Sequence, residues 1–195
     1  KGEIYFAGAL ENNEDTGTLQ YLASTAMEAG FSTRVLDMQA LDLQNGRFFD
    51  PAGELVNRCF KLYPWEWMVD ESPDGCLAEM EWLEPIWKLV MSNKAILATL
   101  YELFPDSPYV LPCYLSRPRS GLFCKKPVFS REGHNVSVVD IRNWEEHVRI
   151  AETEGDYNTG AYVYQEYVEP TAYSGRYPVI GCWIIGGEAA GIGIR

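Results

Sequence analysis

A lysine beside a glycine-containing loop can hold an anion, and the segment Lys126-Pro-Val-Phe-Ser-Arg-Glu-Gly-His-Asn135 has that make-up. Lys126 offers a point charge. The polar loop over 130–135, with Ser130, Arg131 and Gly133, can turn backbone N–H groups toward a bound oxyanion. An ordinary polar hairpin loop fits the same residues, and composition alone favours it, since neither GxxxxGK[ST] nor GxGxxG is present. A second segment, Ser92-Asn-Lys-Ala-Ile-Leu97, places Lys94 in the first positions of an expected helix. A cation there opposes the helix dipole by ~0.3–1 kcal/mol unless an anion meets both charges, and a solvated lysine is the equal alternative. A third, Tyr162-Val-Tyr-Gln-Glu-Tyr-Val168, can present backbone groups to a planar base where Gln165, Glu166, Tyr167 and Val168 leave a strand ahead of Pro170. The bland version is the solvent-facing register of an alternating strand. The Trp-rich stretch Pro64-Trp-Glu-Trp67 with Trp82 and Trp87 reads as core packing before it reads as a ligand cage. Of two histidines, His134 in the loop is the one placed for chemistry, and no Ser-His-Asp or Cys-His arrangement is visible.

The elements that must hold these residues follow from periodicity. Residues 3–8 predict a buried strand, 31–36 another, and between them Leu19, Leu22, Ala23, Ala26 and Met27 follow the helical period, capped by Thr16 or Thr18 and ended at Gly30. This is a β-α-β unit with parallel strands. Asn45-Gly46, Asp50-Pro51 and Gly53 predict a hairpin excursion before a strand over 56–63. Helices are expected over 77–91 and 93–104, the second capped by Asn93 and stopped by Pro105. Strands are expected over 122–128, 136–141, 161–168, 178–185 and 189–194, the last two joined at Gly186-Gly187. Pro127 argues for an edge or irregular strand, and 143–151 for a short helix with Trp144, His147 and Val148 on one side. The fold class is therefore α+β, with a β-α-β-containing subdomain over 1–75 and a helix pair plus antiparallel sheet over 76–195.

Composition bounds the answer. The chain has 195 residues, of which 47% are hydrophobic and 13% aromatic, enough for a real core. Its net charge of −12 disfavours general binding to a nucleic-acid backbone. The charge is uneven: 1–90 hold 6 basic and 16 acidic residues, 91–195 hold 10 and 12. The stretch 117–131 carries five basic residues and no acidic one, so an anion site belongs there. Five scattered cysteines without CxxC argue against a disulfide framework and a zinc site and read as reduced thiols. No stretch approaches the ~20 apolar residues of a membrane helix. The expectation is a cytoplasmic protein, and the missing Met and the apolar, Gly-rich last strand suggest a piece of a longer one.

Taken in order, Tyr63-Pro-Trp-Glu-Trp-Met68, Glu84-Pro-Ile-Trp87, Ser92-Asn-Lys-Ala-Ile-Leu97, Leu103-Phe-Pro105, Leu111-Pro112, Lys126-Pro-Val-Phe-Ser-Arg-Glu-Gly133 and Val163-Tyr-Gln-Glu166 resemble the synthetase domain of the glutathionylspermidine synthase family, an ATP-grasp group. The resemblance covers most of the chain. It implies an ATP-dependent carboxylate–amine ligase that joins a peptide-like carboxylate to an amine, possible polyamines included, through an acyl phosphate. By the same resemblance Lys94 and Lys126 meet the nucleotide phosphates under the 130–135 loop, Gln165 to Val168 form the adenine hinge, and Arg195 lies near the transferred phosphate. Phosphoryl transfer needs positioning and charge neutralisation, which such residues and Mg²⁺ supply. The family's metal carboxylates lie in a Glu-x-Asn-x-Asp-Thr-Pro-Thr segment. Here Glu11-Asn-Asn-Glu-Asp-Thr-Gly-Thr18 lacks the proline and aligns instead with a middle subdomain, so the Mg²⁺ ligands are expected upstream and this chain alone is expected to be inactive. A non-catalytic nucleotide-binding module and a structural or interaction domain are the alternatives.

Overall fold

The computed structural model describes residues 2–142, 147–157 and 160–195. The chain forms two compact units that part between Asn93 and Lys94. The segment 76–93 thus sits with the first unit, where sequence reading grouped it with the second.

In the first unit β1 (Glu3–Gly8), α1 (Asn13–Glu28) and β2 (Ser32–Asp37) make the expected β-α-β, with β1 and β2 parallel from Glu3 opposite Ser32 to Gly8 opposite Asp37. The cap differs from expectation. Asn12 accepts from the Glu14 and Asp15 N–H groups at 2.9 and 3.4 Å, so the helix starts ahead of both threonines. The Thr16 and Thr18 hydroxyls bond the Leu10 and Glu14 carbonyls instead. Strands β3 (Asp42–Gln44), β4 (Arg47–Phe49) and β5 (Leu55–Val56) form the hairpin excursion, turning at Asn45 and Gly46 with φ of 51° and 76°. Both central residues being left-handed matches the twist of the flanking strands.

Strand β6 (Arg58–Leu62) returns beside β1, again parallel. After α2 (Trp65–Glu71) and α3 (Pro73–Cys76) comes β7 (Glu81–Leu83), which completes the sheet in the order β2-β1-β6-β7. The expected helix over 77–91 is therefore incorrect. A strand parallel to β6 takes its first half, Pro85 interrupts it, and only a single turn and α4 (Leu89–Ser92) are helical. One face of the sheet packs Ile4 and Phe6 against Leu19 and Ala23 of α1. The other packs Tyr5, Ala7 and Cys59 against Phe48, Val56, Trp65 and Met68. Trp82 stands edge-on to both Phe48 and Trp65 at 5.6 Å, so these two tryptophans build core, while Trp67 and Trp87 are exposed.

The second unit starts with α5 (Ala95–Leu103) and β8 (Cys113–Tyr114), a strand too short for its pattern to register. Then come β9 (Gly121–Pro127), β10 (Ser137–Ile141), β11 (His147–Glu152) and β12 (Tyr162–Glu166). They form an antiparallel sheet in the order β11-β10-β9-β12-β8. Strand β9 is central, not an edge. Pro127 is tolerated because it is the last residue of β9, where β10 no longer pairs. The helix expected over 143–151 is corrected to strand from His147 onward, while 143–146 lie outside the described residues. Finally β13 (Ile180–Ile185) and β14 (Glu188–Ile194) form a separate hairpin turning at Gly186 and Gly187, with every residue exposed. The fold class is α+β, a parallel β-α-β sheet followed by antiparallel sheets. No helix among the described residues is long and apolar enough to cross a membrane.

Candidate functional site

Residues directly opposite each other in an antiparallel ladder share a face. Lys126 lies opposite Val163, and Cys124 opposite Gln165, so Lys126 and Gln165 project from one face of the β9–β12 pair. There the Lys126 ammonium donates to Gln165 Oε1 at 2.6 Å. Among the described residues no carboxylate pairs with it, so its charge is held by a neutral oxygen. Helix α5 packs on the same face, where Ala98 contacts Cys113 and Val163. Its start is pinned by the Lys94 N–H, which donates to the Val128 carbonyl at 2.8 Å. Lys94 Nζ in turn donates to the carbonyl and hydroxyl oxygens of Ser130 at 2.5 and 3.0 Å. The cation that looked misplaced at a helix start thus bonds the loop that follows β9.

That loop is built to stay bent. Glu132, Gly133 and Asn135 have φ of 53°, 74° and 54°, and a Cβ at Gly133 would meet open space. Three left-handed residues in so few positions turn the backbone sharply. Ser130 is buried, Arg131 half-buried, and the Arg131 carbonyl accepts from the His134 N–H. The Asn135 side chain ties the loop to the returning chain, donating to Gly155 O at 2.8 Å and accepting from the Tyr157 N–H at 2.7 Å.

At the exit of β12 the N–H groups of Glu166 and Tyr167 donate to the carbonyls of Pro112 and Leu122 at 2.8 and 3.0 Å. The Val168 N–H has no partner among the described residues, which leaves it as the donor at this edge; the sequence pointed to the segment but not to which of its groups is available. Arg195 lies elsewhere. Its backbone pairs with Val179 at the open end of the β13–β14 hairpin, in a different sheet from Lys126 and Gln165. The structure therefore joins Lys94 to Ser130 and Lys126 to Gln165, and does not join Arg195 to either pair. All five cysteines are free thiols, and burial pushes those of Cys113 and Cys124 up, away from the reactive thiolate.

The model of the glutathionylspermidine synthase preATP-grasp family matches residues 1–195. The chain belongs to this family. It is 35% identical over 191 residues to a putative acid–amine ligase of Haemophilus influenzae, across 93% of this chain and 49% of that protein. It is 37% identical over 117 residues to the trypanothione synthetase of Crithidia fasciculata, across 58% of this chain and 17% of that enzyme. With the bifunctional glutathionylspermidine synthetase/amidase of Escherichia coli the identity is 27% over 214 residues, 93% of this chain and 34% of the relative. This member of the family spans about half the length, or less, of these curated relatives.

Proposed function

We propose that the chain supplies the phosphate- and base-contacting part of an ATP-dependent carboxylate–amine ligase, one that forms an amide through an acyl phosphate. The observation that carries the reading is the pairing of Lys126 with Gln165 on one sheet face, beside the Lys94–Ser130 contact at the loop. A lysine held by a neutral amide oxygen keeps its charge available, and a polyphosphate is the ligand that such a lysine suits. Lys94 and Lys126 neutralise phosphate charge, the loop with Ser130, Arg131 and Gly133 offers backbone donors above it, and the edge from Gln165 through Glu166 and Tyr167 to Val168 meets the base. Arg195 is assigned to the transferred phosphate on the motif alone. Mg²⁺, if bound with the nucleotide, would offset the charge that develops on the phosphates.

The substrates proposed are a peptide-like carboxylate and an amine of the polyamine kind. The relatives' names point that way, and so does the net −10 of residues 1–90, which attracts polycations.

The test is calorimetric titration with Mg-ATP of wild-type protein and of Lys126→Ala, joined to ATP-dependent amide formation in the longest natural protein that contains this chain. The variant is expected to lose one to several orders of magnitude in affinity or kcat, as for loss of a charge contact of about 2.7–4 kcal/mol. Equal values would remove Lys126 from the mechanism.

A further inference from the structure

We propose that the opposite face of the same antiparallel sheet carries a second binding site, for a small oxyanion of the phosphate type, formed by Arg117, Lys125 and Arg149. Strand alternation puts Lys125 on the reverse side of β9 from Lys126. The register places it opposite Ser137 on one neighbour and Tyr164 on the other, while Val139 lies opposite Arg149. These residues line one cavity of about 210 Å³, with the buried Val139 and Ile141 among its walls. Arg117 reaches in from the loop that precedes β9.

Charge is what makes this cavity a site. The Arg117 Nη2 is buried and has no hydrogen-bond partner among the described residues. A guanidinium N–H taken out of water without an acceptor is costly, and such orphans mark places where an ion or water belongs. The Lys125 ammonium lies 3.9 Å over the Tyr162 ring and has no carboxylate partner among the described residues. Arg149 is neutralised in part, since it pairs with Glu152, whose carboxylate also accepts from the Ser137 hydroxyl at 3.3 Å. Two cations without carboxylate partners among the described residues and a third beside them converge on one hollow of a protein with net charge −12.

The size selects the ligand class. Sites for drug-sized molecules run to about 300–1,000 Å³, so a cavity of about 210 Å³ suits a compact anion and not a nucleotide. The guanidinium fork and the ammonium match an oxyanion with several equivalent oxygens. Inorganic phosphate and the head of a small phosphomonoester share that chemistry. The site does not depend on the ligase reading, because its residues lie on the reverse face from Lys126 and Gln165.

The experiment is calorimetry at low ionic strength with inorganic phosphate and, in a separate arm, glycerol 3-phosphate. The proteins are wild type, Arg117→Gln, Lys125→Gln and Lys126→Ala, each first compared by thermal melting without phosphate to establish that it folds. Saturable phosphate binding is expected in wild type and Lys126→Ala alike. A loss of about tenfold or more is expected in either cavity variant. Arg117→Gln should leave Mg-ATP binding unchanged, which separates this site's failure from that of the nucleotide reading. Stronger binding in one arm names the source, and either source upholds the site. Phosphate binding that vanishes in Lys126→Ala and survives in both cavity variants would overturn the proposal, as would no binding of either anion at millimolar concentration.

Discussion

Lys61 is 3% exposed, its ammonium donating to the Tyr63 carbonyl at 2.6 Å and lying 3.9 Å over the Trp65 ring. Burial pushes its pKa from 10.5 down to about 8, while Glu84 and Glu66 nearby pull the other way. Between those two values the unfolded chain holds more protons than the folded one, so stability rises with pH. The contribution is fully present above 10.5 and lost as pH falls through about 8. Cys59 acts with the opposite sign, since burial raises its thiol from 9.0 to about 12, so the effect must be read as a difference between proteins. Urea unfolding of Lys61→Met and wild type at pH 7 and near pH 10 is the measurement. The variant should gain on wild type at pH 7 by on the order of 2 to 3 kcal/mol relative to the high-pH comparison. A difference that does not change with pH would show that Lys61 titrates as an ordinary lysine. The strand over 56–63 was readable from its alternation, but the pattern does not reveal that the face carrying Cys59 and Lys61 is covered by Trp65 and Met68. That covering comes from α2, later in the chain, and only tertiary packing supplies it.

Helix α1 shows how element boundaries depend on single atoms. Asn12 satisfies two first-turn N–H groups, so Asn12→Ala should cost about 1 kcal/mol in urea unfolding. Thr18→Ala, at the position expected to cap, should stay within about 0.5 kcal/mol of wild type. The reverse ranking would restore the sequence-based cap. A second test lies where α1 crosses β1: a Cβ on Gly8 would stand 2.9 Å from Leu19 Cδ1 and 3.0 Å from the Leu62 carbonyl oxygen. Backbone cannot yield as a side-chain tip can, so Gly8→Ala should destabilise by about 1–3 kcal/mol in the same assay. The β-α-β unit, the Asn45-Gly46 hairpin and the Gly186-Gly187 hairpin were legible because periodicity and turn chemistry agree there. The segments β7 and β11 were not. Their apolar residues suit a helix as well as a strand, and β6 and β10 decide between the two by offering ladder partners. Of the candidate site, Lys94, Lys126 and Gln165 were legible as types in motifs. Arg149 was not, because it fell within the expected helix.

Across the whole molecule the two compact units divide both charge and proposed labour. Residues 1–90 carry net −10 and 91–195 net −2, so a polyanion is repelled more strongly by the first half than by the second. Lys94, Lys126, Ser130, Gln165 and Val168 all belong to the second unit, as do the cavity residues of the reverse face. A ligand that binds only the folded form lowers the population of every opening that breaks its site, and leaves openings elsewhere as they were. Hydrogen exchange followed by mass spectrometry should therefore show Mg-ATP protecting amides of β9, β12 and the start of α5. Those of β1, β2 and β6 should exchange at unchanged rates. Inorganic phosphate should protect β10 and β11 along with β9, because Ser137, Val139 and Arg149 line its cavity. Protection by Mg-ATP centred on the first unit would move the nucleotide away from Lys126. It would put the acidic half, and not the antiparallel sheet, at the centre of binding.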